Sequence, residues 1–190
     1  MNFLAHLYLS GNDEEIMVGN ILADRSKGLI KKNLSEGILK GIRLHHEIDK
    51  FTDNHPVVAI TKKRLNPVFG HYAPVITDVF YDHFLASNWK DYSDIALEVF
   101  AKKCYTILRK YKKLFPFDFQ FAFIYLRFRN LLVSYRTIEG IKFAFDRMSG
   151  RAVNSKNLHL AIDELKENYP LYEKEFHSFF KDAIKQFLYK

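Results

Sequence analysis

Apolar residues recur at helical spacing along nearly the whole chain, and the few glycines and prolines fall between the periodic segments. The pattern predicts helices over about 3–9, 13–25, 35–51, 56–66, 74–88, 93–114, 117–134, 138–148 and from 155 to the C-terminus, the last broken at Pro170. Pro56 and Pro74 fall in first turns, where a missing N–H does no harm, and Ser35, Asn54 and Ser155 are placed as N-caps, with Asp53 able to cap the helix after NHP. The fold class expected is all-α, a helical bundle.

One segment departs from this period. FPFDFQFAF sets phenylalanine at every second position from 115 to 123, the spacing of a half-buried strand. No other strand pattern exists to pair with it, and Phe117, Phe121, Ile124 and Phe128 also form a helical stripe, so a helix is expected. The surplus aromatics are expected to pack in the core rather than to form an exposed patch.

Charges interrupt three of the apolar stripes. Residues three, four and seven apart share a helix face, so Val75, Asp78, Asp82, Leu85 and Trp89 form one stripe, Ile38, Ile42, His45 and Asp49 another, and Met17, Ile21 and Asp24 a third. An unpaired buried carboxylate costs several kcal/mol, so such groups meet a cation, join a network or bind metal. Without a site, His45 bonds Asp49 one turn away while Asp78 and Asp82 pair with lysine or arginine. Three coincident intrusions point instead to a shared ion. The preponderance of oxygen favours a hard octahedral ion, Mn²⁺ or Mg²⁺, with Fe²⁺ and Zn²⁺ behind. Such an ion lowers the pKa of bound water and neutralises phosphoryl charge. Arg25, Lys27 and Arg43 flank this site as candidate phosphate contacts. His46 and His83 adjoin the pairs on other helix faces, and His6 sits among Phe3, Leu4 and Leu7 as a core histidine.

Length and charge narrow the setting. The 190 residues, 48% hydrophobic, suit one domain over 1–190 and are short for two. A net charge of +7 suits an acidic partner, RNA or anionic lipid, without choosing between them. Cys104 is the single cysteine, so no intrachain disulfide forms; it reads as structural, and a reducing cytoplasm is expected. The opening MNFLAHLYLSGNDEE lacks the basic leader of a signal peptide, and no apolar run is long enough to span a bilayer. No phosphate-cradling glycine loop or nucleophilic serine motif is present.

At these residues the sequence resembles the acyl carrier protein phosphodiesterase family. MNFLAHLYLSG, GNILADRSKG, GIRLHHEIDKFTDNHP and APVITDVFYDHFL with Trp89 match its ordered blocks, with a weaker echo in LLVSYRTIEGI and RMSGR. The resemblance implies a fold related to the HD-domain metallohydrolases and manganese-dependent cleavage of the phosphodiester joining 4′-phosphopantetheine to a serine of holo-acyl carrier protein. It makes Asp24, His45, Asp49, Asp78 and Asp82 the candidates for metal ligation or water activation, with His6 behind them as a ligand and His83 as a group that orients water or protonates the leaving serine. The His-Asp dipeptide that names the wider superfamily is absent; the nearest match is the reversed Asp82-His83. The carrier is acidic, so a basic surface steers it, and no stable nucleic-acid partner is expected. The alternatives are a related hydrolase of a nucleotide or small phosphodiester, and a noncatalytic basic helical module binding RNA or an acidic protein.

Overall fold

The computed structural model describes residues 2–24, 34–149 and 158–189, and these are helical with no strand among them. In chain order the helices are α1 (Phe3–Leu9), α2 (Glu14–Ala23), α3 (Glu36–Asn54), α4 (Pro56–Phe69), α5 (Ala73–Ser87), α6 (Leu97–Lys110), α7 (Phe117–Phe128), the short α8 (Leu131–Ser134), α9 (Ile138–Ser149), α10 (Ala161–Glu167) and α11 (Tyr169–Phe187). Asp13 and Ser35 cap α2 and α3 by accepting from backbone N–H groups of Glu15, Ile16 and Ile38. Asn54 is not a cap. It closes α3, its side chain donating to the Lys50 carbonyl at 2.7 Å, and His55 takes the N-cap position before Pro56. Asp53 pairs with Lys62 at 2.7 Å instead of capping. Ser155 lies outside the described residues.

The core is organised round α5, which packs against α1, α4, α9 and α11. Every residue from Ile76 to Ala86 is buried except Asp78. A helix enclosed on all sides has no single apolar stripe, which is why the expected inward row fails at its start: Val75 is exposed and Asp78 only half-buried, while Asp82, Leu85 and Trp89 are inside.

α2 and α3 lie back to back. A Cβ built on Gly19 would stand 2.0 Å from the Ile38 carbonyl oxygen, and one on Gly41 would stand 2.3 Å from that of Ile16. Only two glycines let these backbones approach so closely. The crossing sits immediately before Asn20 on one helix and one turn before His45 on the other. α1 is held at its N-terminus by Asp82, whose carboxylate accepts from the backbone N–H of Leu4 at 2.8 Å and of Ala5 at 3.0 Å.

Two expected helices are shorter than their patterns. The segment from 93 becomes regular only at Leu97, and 117–134 is broken where Asn130 takes a left-handed conformation, φ 47°, a geometry asparagine tolerates. The aromatic stretch is helical as expected, and its phenylalanines outside the 117–121–124–128 stripe are the ones that reach the core. Phe119 and Phe123, with Phe115 before them, are buried, whereas Phe117, Phe121, Ile124 and Phe128 are 60–83% exposed. Alternating phenylalanines wrap a helix on both sides, and among the described residues α1 and α6 border the Phe119 and Phe123 face.

Candidate metal centre

Three helices deliver the polar groups of the site. Asn20 and Asp24 are one turn apart at the end of α2, His45 and Asp49 one turn apart on α3, and His6 comes from α1. The buried Asn20 carboxamide organises them. Its Nδ2 donates to the His6 carbonyl at 3.0 Å and to Ser10 Oγ at 2.9 Å, and Ser10 Oγ donates to that same carbonyl at 2.8 Å. With both amide hydrogens used, Oδ1 faces the imidazoles and accepts from Nδ1 of His6 at 2.8 Å and of His45 at 3.1 Å. One oxygen thereby sets two tautomers. The rings stack with centroids 4.3 Å apart, and both Nε2 atoms turn toward Asp49.

The far side of the imidazoles is acidic. His45 Nε2 lies 3.0 Å from Asp49 Oδ2 and 3.2 Å from Asp24 Oδ1; His6 Nε2 lies 3.2 Å from Asp49 Oδ1. Geometry and electrostatics differ for the last pair. Asp49 supports the charged form of His6, yet the contact is poorly aligned for a hydrogen bond, which leaves His6 Nε2 buried without one. Burial lowers the pKa of His6 despite Asp49. Burial also opposes charge on His45, but Asp24 and Asp49 outweigh it and raise that pKa to about 9. Burial works against the Asp49 carboxylate too and is overridden by His45 and His6, which hold it below the usual carboxylate range; His45 does the same for Asp24.

The donor set fits a divalent ion. One ligand atom each from His6, His45 and Asp49 lie within 4.8 Å of one another, the group of this kind found among the described residues. Two imidazole nitrogens with locked outward tautomers and an ionised carboxylate are a transition-metal donor set, and Asn20 is the outer partner that metal-ligating histidines require. Asp24, more than half exposed, stands at the rim.

The remaining sequence candidates lie elsewhere. Asp78 and Asp82 do not join the cluster: Asp82 serves the N-terminus of α1, and burial raises its pKa to about 7 against the pull of the Leu4 and Ala5 N–H groups. His83 contacts the Tyr135 carbonyl at 2.8 Å and the Tyr169 hydroxyl at 3.0 Å, and His46 is exposed. Arg43 is at the surface, paired with Glu36. Arg25 and Lys27 lie outside the described residues. Cys104 is buried, its thiol pushed up to about 12 by desolvation. Asn20 and Ser10 were missed. The signal for Asn20 was present, an amide inside the apolar run IMVGNILA exactly one turn before Asp24.

Residues 1–183 match the family model described as acyl carrier protein phosphodiesterase. The chain belongs to the acyl carrier protein phosphodiesterase family. It is 32% identical over 195 residues to the acyl carrier protein phosphodiesterase of Shigella boydii, covering 100% of this chain and 99% of the relative. It is 31% identical over 191 residues to that of Escherichia coli O6:H1, covering 98% and 97%, and 28% identical over 181 residues to that of Photorhabdus laumondii, covering 95% and 91%. No solved structure matches the chain. Family membership makes this a phosphoric diester hydrolase and decides against the noncatalytic helical module.

Proposed function

We propose that this phosphodiesterase cleaves the phosphodiester between 4′-phosphopantetheine and a serine of holo-acyl carrier protein at the cluster of His6, His45, Asp49 and Asp24, leaving the apo-carrier. The observation that carries this reading is the Asn20 clamp, which points two imidazole Nε2 atoms at one carboxylate in a buried setting. A divalent ion held there would lower the pKa of a bound water and neutralise phosphoryl charge, the two needs of this hydrolysis. His6, His45 and Asp49 are the ligands in this reading. Two nitrogens against one first carboxylate weigh against Mg²⁺ and retain Mn²⁺ or Fe²⁺.

Asp24, at the exposed rim, is placed to orient the attacking water and take its proton. Asp82 and His83 have structural roles here, and Asp78 none in the chemistry. Arg43 reaches a substrate phosphate only by releasing Glu36. The net charge of +7 favours approach of an acidic carrier.

The test is mass spectrometry of holo-carrier incubated with the enzyme and Mn²⁺. Loss of the whole prosthetic arm is expected, and His45→Ala or Asp49→Ala should slow it by at least about 100-fold with the helical spectrum intact. Turnover of a nucleotide or small phosphodiester, with several holo-carriers left whole by metal-loaded protein, would transfer the assignment to that hydrolase.

A further inference from the structure

The aromatic face of α7 is an exposed apolar feature that the proposed site does not use. Phe117, Phe121, Ile124 and Phe128 recur at helical spacing on one side of α7 and are 75%, 60%, 66% and 83% exposed. The opposite face, Phe119 and Phe123, borders a small apolar space with Phe3 and Leu7 of α1, so the exposed row points away from α1. Four large side chains held out in water on one helix face form a contiguous apolar patch, which marks an interaction surface. Beside it runs an apolar groove of about 490 Å³ between α6 and α7, lined by Phe119, Phe123 and Phe128 with Arg109, Lys112, Arg127 and the neutral Gln120 at its polar positions and no acidic residue.

Charge selects the occupant. Between Arg109 and Arg129 there are six basic residues against one acid, Asp118. Lys110 is engaged with Glu14 and Arg129 lies over Phe143, but Arg109, Lys112, Lys113 and Arg127 form no ion pair among the described residues. A second copy of this face would meet like charge. Protruding rings with long cations beside them suit a layered partner, apolar below and anionic at its surface, where rings enter the acyl region and the Arg and Lys heads stay with phosphate.

We propose that the α7 face is a peripheral docking surface for an anionic lipid bilayer. No helix among the described residues is long and apolar enough to cross a membrane, and the attachment proposed is peripheral, through this face. It is reversible and salt-sensitive, since one short helix buries few side chains and its cations act through a screened surface potential.

The experiment is flotation of the full chain with vesicles of phosphatidylcholine alone or containing about one-third phosphatidylglycerol. Co-flotation with the anionic vesicles at low salt is expected, with a several-fold smaller bound fraction on neutral vesicles or at high salt. Phe121→Ser combined with Phe128→Ser should cut binding at least tenfold, and Arg109→Glu with Arg127→Glu should remove the preference for anionic lipid. All four positions are exposed, and an unchanged melting temperature and activity on a small phosphodiester verify the fold. Absence of flotation, or equal flotation by the paired phenylalanine variant, overturns the proposal. So does a gel-filtration dimer or a carrier-protein complex that the phenylalanine variant dissolves while wild-type protein ignores vesicles.

Discussion

Asn20 is the residue on which the site turns, because its single Oδ1 orients both imidazoles. Asn20→Leu removes that acceptor and frees both tautomers. Metal affinity should fall about 10- to 100-fold by titration calorimetry while the helical spectrum stays intact. Asp82 separates the other way. Asp82→Ala strands two buried N–H groups of α1, at about 1–3 kcal/mol each, so thermal unfolding should register a large loss; the metal affinity of the variant, measured below its melting temperature, should change far less than that of His45→Ala. His45 also sets a pH response. Its folded-state pKa, about 9, lies above the ordinary 6.5, so its stabilisation of the metal-free protein is complete below pH 6.5 and lost as pH rises through about 9. The buried Asp82, raised from 3.8 to about 7, acts in the same direction but in a lower window. Melting temperatures in chelator should therefore fall between pH 6.5 and 9, and Mn²⁺ should reverse that fall, since a ligating imidazole has already given up its proton. The histidine and aspartate pair on α3 was legible from its spacing of four in an apolar stripe. His6 was not: one imidazole among leucines has the same pattern whether it ligates or packs.

At the scale of elements, the α2–α3 crossing decides whether the site assembles. Gly19→Ala drives a methyl into the Ile38 carbonyl and Gly41→Ala one into that of Ile16, and neither backbone can yield without separating the helices. Each should lower the melting temperature and weaken metal binding together, measurable by calorimetry and metal titration of one sample. A lesion confined to stability would mean that Asn20 and His45 hold their geometry without the close crossing. Most helices were readable because caps and proline act locally: Asp13, Ser35 and Pro56 sit where the pattern placed them or within a residue of it. The break at Asn130 was not, since a left-handed residue is one conformational choice that asparagine permits and does not require.

At the scale of the whole molecule, net charge makes a kinetic prediction. Raising salt should reduce kcat/KM for the acidic carrier more than for a small neutral-leaving-group phosphodiester, because screening acts on the extended surfaces of two proteins. Equal responses would remove steering from the account. By itself the sequence determined the helical class, the family, and the carboxylates and histidine of α2 and α3, because periodicity and motif order are properties of the chain alone. Tertiary structure decided which polar groups meet. Asp82 and His45 interrupt apolar stripes in the same way, yet one ends beneath the first turn of α1 and the other between two carboxylates. It also decided which side of α7 faces water, for a helix carrying phenylalanine all round is indifferent until a neighbour covers one side. Burial and partnership are relations between distant segments, and helical spacing reports only how residues are placed on their own helix.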